Sequence, residues 1–138
     1  MNASAQSTST NFVYDSSGRV GIGTGTPTAS LDVSGAIKSV AVSNSGTTVD
    51  FATGNLQYTS VSCGAITLNN MKSGATYTLA VQGAAGGTCA FTAYSGSGSG
   101  ALTVKAGTVS LAQTVGKDVL FTFSVLGSVV YVTGVDGY

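Results

Sequence analysis

Apolar and polar residues alternate with period two along most of this chain, in short runs bounded by clusters of Gly, Ser and Asn. That is the pattern of short, half-buried strands. Residues 75–82 show it most clearly: Tyr77, Leu79 and Val81 fall on one side, and Thr76, Thr78, Ala80 and Gln82 on the other. Similar runs predict strands over 47–51, 56–61, 65–68, 88–94, 101–105 and 108–111. The longest apolar stretch, VLFTFSVLGSVVYVTGV at 119–135, is long enough to be mistaken for a membrane span. Its alternation argues instead for a hairpin, with Val119, Phe121, Phe123 and Val125 on one face and Gly127-Ser128 as a two-residue turn, so no membrane insertion is expected. No segment combines apolar spacing of three and four residues with helix caps. The chain reads as all-β, and the many short strands favour two packed sheets, a β-sandwich or jelly-roll-like domain. Its expected core includes Phe51, Tyr77, Leu79, Val81, Phe91, Val104, Phe121, Phe123 and Tyr131.

The first forty residues follow a different pattern. In GRVGIGTGTPTASLDVSGAIK, from Gly18 to Lys38, glycines stand at 18, 21, 23, 25 and 35, and Pro27 is the only proline of the protein. Two β-type pieces, 20–23 and 30–33, flank a Gly/Thr/Pro turn, and a further apolar alternation follows at Ala36, Ile37, Val40 and Val42. Val20, Ile22, Leu31, Val33 and Ile37 have no intrachain partners in view, so they are expected to pack against sister chains. The glycines do not form a dinucleotide fingerprint, because Pro27 and a second strand follow them where a helix would be required.

This segment resembles the GxVGIGTxxPxAxLDVxGxI stalk segment of bacterial and phage fibre proteins, in which three copies of one chain wind together. Gly21, Ile22, Gly23, Thr24, Pro27, Leu31, Asp32, Val33, Gly35 and Ile37 match it, and Gly25 stands where such fibres often carry Thr or Ser. The resemblance covers the first third of the chain. The remainder looks like the head of a trimeric fibre, similar to the mosaic adhesive trimer fibres of predatory bacteria and to phage tail-fibre tips. It implies a homotrimer with an intertwined stalk over 1–40 and a head over 41–138. It also implies adhesion to a cell-surface glycan or envelope protein. A purely structural trimerisation cap, and a phage receptor-binding tip, are the alternatives.

Composition changes this picture mainly by exclusion. The 138 residues leave room for one domain and an extension. Only 7% of residues are charged, five basic against five acidic, and they are scattered. Nucleic-acid binding needs clustered Lys and Arg, so no such partner is expected; a neutral or polar target fits better. The opening MNASAQSTSTN has neither a basic start nor an apolar run. It reads as neither signal peptide nor anchor, and the chain as a fragment of a longer exported fibre, extracellular or at the cell surface.

Candidate chemistry is sparse. With no His and no Glu, the chain lacks the usual general base, nucleophile pairs and nearly every carboxylate dyad. An enzyme, a polysaccharide-degrading spike included, is therefore not expected. Two cysteines without His or close spacing make no zinc site, and no run of closely spaced Asp suggests calcium; no metal or cofactor is expected. Cys63 and Cys89 suggest a disulfide worth ~3.5 kcal/mol in the chain-entropy account, with two small buried thiols as the alternative. Recognition falls to the loops and to side chains that pair an apolar face with a polar tip. The candidates are Asn55, Gln57, Tyr94, Asp136 and Tyr138. The SGSGSG tract at 95–100 reads as a loose connector.

Overall fold

The computed structural model describes residues 12–138; the reading of 1–11 as leaderless lies outside the described residues. These residues form fourteen strands and no helix, as the alternation requires. The chain divides between Lys38 and Ser39 into two units, two residues ahead of the expected boundary.

In the first unit, β1 (Phe12–Tyr14) pairs antiparallel with β2 (Val20–Ile22), and β2 pairs parallel with β3 (Leu31–Val33). Val20 lies opposite Leu31 and Ile22 opposite Val33, so the VGI and LDV halves of the motif are the two sides of one ladder. The link between them is shorter than the dozen or so residues a parallel connection usually takes. Its glycines explain how it closes: a Cβ on Gly21 would stand 2.5 Å from the Thr24 carbonyl oxygen, and one on Gly23 2.6 Å from that of Ser34. Asp32 accepts hydrogen bonds from the Thr28 amide (2.8 Å) and hydroxyl (2.9 Å), fixing the approach to β3.

The second unit is built from stacked coils, each giving one strand to each of two limbs. The first coil holds β4 (Val42–Asn44) and β5 (Thr48–Asp50); the second, β6 (Leu56–Thr59) and β7 (Ala65–Asn69); the third, β8 (Thr76–Val81) and β10 (Ala90–Tyr94). The coils stack in parallel, β4 on β6 on β8 and β5 on β7 on β10. A small pair, β9 (Gly87–Thr88) with β12 (Ala112–Gln113), lies outside the main sheet. β11 (Ala101–Lys105) turns back along β10, and the hairpin β13 (Val119–Leu126) and β14 (Val129–Asp136) joins β8 to β11. One nine-stranded sheet results, in the order β4-β6-β8-β13-β14-β11-β10-β7-β5.

This pairing differs from the jelly-roll-like sandwich expected from sequence, whose strands would be antiparallel. Period-two alternation reports which side of a strand is apolar and is silent on the direction of its neighbour. The strand at 108–111 is also absent: that stretch is a turn, with the Val109 amide bonded to the Ala106 carbonyl.

The folded-over sheet encloses one core. Val49, Leu68, Leu79, Val81, Phe121, Phe123, Val125 and Val130 are fully buried. Phe91 of β10 meets Phe121 and Phe123 of β13 edge-on, with ring centroids 4.9 and 5.1 Å apart, so the two limbs interlock through aromatic edges. Phe121 lies opposite Gly134 in the ladder, and a Cβ there would stand 2.7 Å from its ring; the missing side chain makes room for it. Tyr131, expected in the core, points outward, because Val130 and Val132 on either side take the inward positions of β14. The cysteines form a disulfide between Cys63 and Cys89, with Cα atoms 4.4 Å apart, which ties the corner after β6 to the start of β10.

Candidate binding surface

The structure separates the five residues expected to bind a ligand. Asn55 is exposed at the corner before β6, where its side-chain amide donates to the Thr76 carbonyl (2.9 Å). Gln57 is withdrawn from the surface altogether, at 1% exposure. It occupies an inward position between Val42 and Leu79. Its amide nitrogen donates to the carbonyls of Asp50 (2.7 Å) and Gly54 (2.8 Å) and to the Thr53 hydroxyl (3.1 Å), while its oxygen accepts from Asn44 (2.7 Å). The reading of Gln57 as a ligand residue is therefore corrected: it replaces water for the carbonyls of a buried corner. Gln113, which the alternation did not single out, does the same at the other end. It is buried, donates to the carbonyls of Val81, Gly83 and Lys117, and accepts from the Cys63 amide.

Tyr94 ends β10 on the other limb, half-buried. The SGSGSG tract after it is pinned, not loose. Ser95 and Gly96 donate to Gly100 and Ser99, and Gly98 donates to the Asn69 side chain. Asp136 and Tyr138 are brought together at the end of β14. Asp136 accepts from the hydroxyl and amide of Thr114, which hold its carboxyl below the ordinary carboxylate range. Tyr138 exchanges backbone hydrogen bonds with Asp118 (3.2 and 3.3 Å) and is 66% exposed.

Beside Tyr138 the outer face of the β6-β8-β13-β14 limb carries a trough. Register places Tyr58, Ala80, Leu120 and Val135 in one row across the four strands. The short Ala80 stands between two large neighbours and so forms a floor between walls. Two shallow depressions share it. One, of about 200 Å³, lies between Leu120 and Tyr138 and ends at Asp118. The other, of about 340 Å³, is bounded by Leu56, Tyr58 and Gln82. The Gln82 amide donates to the Asp118 carboxylate (3.0 Å), placing a polar pair at the rim. No Lys or Arg is among the lining residues. The adjoining row, Leu56, Thr78, Thr122 and Thr133, adds hydroxyls.

The opposite limb has a different outer face. Its strands align Thr48, Thr67 and Thr92 in one row and Ala65 with Ala90 in another, and none of its strands exposes a large apolar side chain.

In the first unit, Ile22 is 44%, Leu31 58% and Ile37 77% exposed, and Val20 and Val33 are half-buried. None of the buried hydrophobic residues of the described chain lies in this unit. Among the described residues no group of three potential metal ligands occurs. The carboxylates engage hydrogen-bond donors: Asp15 pairs with Arg19, Asp32 with Thr28, Asp50 with Asn70 and Asp118 with Gln82. No family model, no curated protein and no solved structure matches this chain.

Proposed function

We propose that this chain is the tip of a non-enzymatic, homotrimeric extracellular fibre. Its first unit joins three copies, and its head recognises a cell-surface ligand, a glycan. The observation that carries this reading is the first unit itself. Its strands pair and its turns are hydrogen-bonded, yet Ile22, Leu31 and Ile37 remain exposed. Side chains of this size in so short a segment are accounted for by other copies of the same segment. The match to the stalk motif agrees with this, and so does the low charge, which leaves little repulsion between copies. Trimerisation gives three heads a common orientation, so weak single sites gain by acting together.

Light scattering on the full chain tests the assembly, with a trimer expected and a stable monomer across the micromolar range overturning it. Binding to a glycan array and to bacterial envelopes tests the recognition. The structural-cap reading has one observation of its own, the apolar outer face of the β6-β8-β13-β14 limb, which could pack between heads. Silence in every binding assay, together with dissociation of the trimer by Tyr131→Asp and Val135→Asp, would favour the cap.

A further inference from the structure

We infer that the Ala80 trough binds a neutral pyranoside, a hexose ring without carboxylate, sulfate or phosphate. This rests on the proposed role in recognition and names the site and class of ligand that would serve it. A pyranose ring presents two kinds of surface, a face of C–H bonds and an equatorial rim of hydroxyls. The trough offers a counterpart for each. Ala80 supplies the floor and Leu120 an apolar wall, and Tyr58 and Tyr138 stand exposed at the two sides. Aromatic rings of this kind cover C–H surface while their hydroxyls stay in water or bond to the ligand. At the rim, Gln82 spends one amide hydrogen on Asp118. That leaves its second N–H and its carbonyl free, and lone pairs on the Asp118 carboxylate, so adjacent sugar hydroxyls can both donate and accept there.

Charge selects within the class. The lining residues include the Asp118 carboxylate and no cation. An anionic sugar would bring a second negative charge to that rim, with no cation among the lining residues to offset it. The dimensions also limit the ligand. Depressions of about 200 and 340 Å³ lie on either side of the ~300 Å³ lower end of ordinary small-molecule pockets. One or two rings fit, held weakly.

The floor provides a clean test. Ala80 points outward and is half-buried, so Ala80→Val places a residue favoured in strands where space is open above it and fills the trough without touching the core. The full-length chain is titrated, by NMR or calorimetry, with the methyl pyranosides of glucose, galactose and mannose and with N-acetylglucosamine. N-acetylneuraminic acid and glucuronic acid serve as anionic counterparts. We expect at least one neutral probe to bind in the millimolar range and the anionic probes to bind at least tenfold more weakly. Ala80→Val and Tyr138→Ala should each weaken the neutral probe about tenfold, with unchanged circular dichroism, while Thr92→Ala on the opposite limb leaves it unaltered.

Neutral-sugar binding that persists undiminished in both Ala80→Val and Tyr138→Ala overturns the site and leaves glycan recognition standing. Preference for the anionic probes overturns the ligand class. No binding to any probe here or on the array overturns the site and the glycan reading together.

Discussion

The two units of this protein solve the same problem in opposite ways. Both are made of short strands with β-branched residues and Gly-rich turns, and both close those turns with Asp and Thr side chains. The head folds its sheet over and buries Phe121, Phe123 and Leu79 completely, whereas the first unit leaves Ile22, Leu31 and Ile37 in the open. Hydrogen-bonded backbone therefore marks where a strand runs, and burial marks what holds it there. A segment with the first and without the second has little burial of its own to hold it.

The sharpest way to break this comparison is to remove a large side chain from each unit. Phe121→Ala leaves a cavity where two limbs meet and should cost about 3–5 kcal/mol, lowering the head's thermal midpoint by more than ~12 °C at ~4 °C or more per kcal/mol. Ile22→Ala should leave that midpoint within about 2 °C, since an exposed substitution usually shifts stability by less than ~0.5 kcal/mol; it should act on the proposed trimer instead, read as a rise in the dissociation midpoint on dilution. An equal loss in both variants would mean that the units share one core.

Next in size, Cys63→Ser with Cys89→Ser opens the tie between the second and third coils. The expected loss is about 2–4 kcal/mol, seen as a lower urea midpoint that reducing agent reproduces in the parent chain. Gln57→Ala should then cost ~1–3 kcal/mol, the penalty of leaving buried partners unpaired. A neutral result there would mean that water takes the place of the amide at that corner.

The smallest effect is that of acid. Asn70 and the Ala52 amide hold Asp50 below the ordinary carboxylate range, and the Thr114 hydroxyl and amide do so for Asp136. In the first unit the Arg19 amide and guanidinium lower Asp15, and the Thr28 amide and hydroxyl lower Asp32. A carboxyl with a lowered folded value stabilises fully above its unfolded value near ~4 and loses that contribution as pH falls through the folded one. Thermal midpoints should therefore be flat from pH 8 to 5 and decline below about pH 4. Asp136→Asn should flatten part of that decline.

Much of this architecture was legible in the sequence wherever one residue type has one physical use. The hairpin at 119–135 followed from alternation and a Gly-Ser turn, and all four expected inward residues of β13 are fully buried. The strands of the motif lie within a residue or two of where the pattern put them. What escaped depends on contacts between distant positions. Parallel stacking of coils leaves no trace in a period of two. Gln57 and Gln113 look like surface amides until the carbonyls they serve are brought to them. The trough needed register, since only pairing sets Ala80 between Tyr58 and Leu120, and Tyr138 alone of its aromatic walls had been singled out.

The strand order also has a consequence for growth. Both free edges of the nine-stranded sheet, β4 and β5, belong to the first coil, and the hairpin seals the opposite end. An unpaired edge is where another strand can add, and both edges here are only three residues long, a length that discourages unwanted pairing. The stack is thus a ladder with a finished end and an open one. A coil added at the open end would precede Val42, so a lineage could lengthen this head there while its closed end, with the surface around Tyr138, stays as it is.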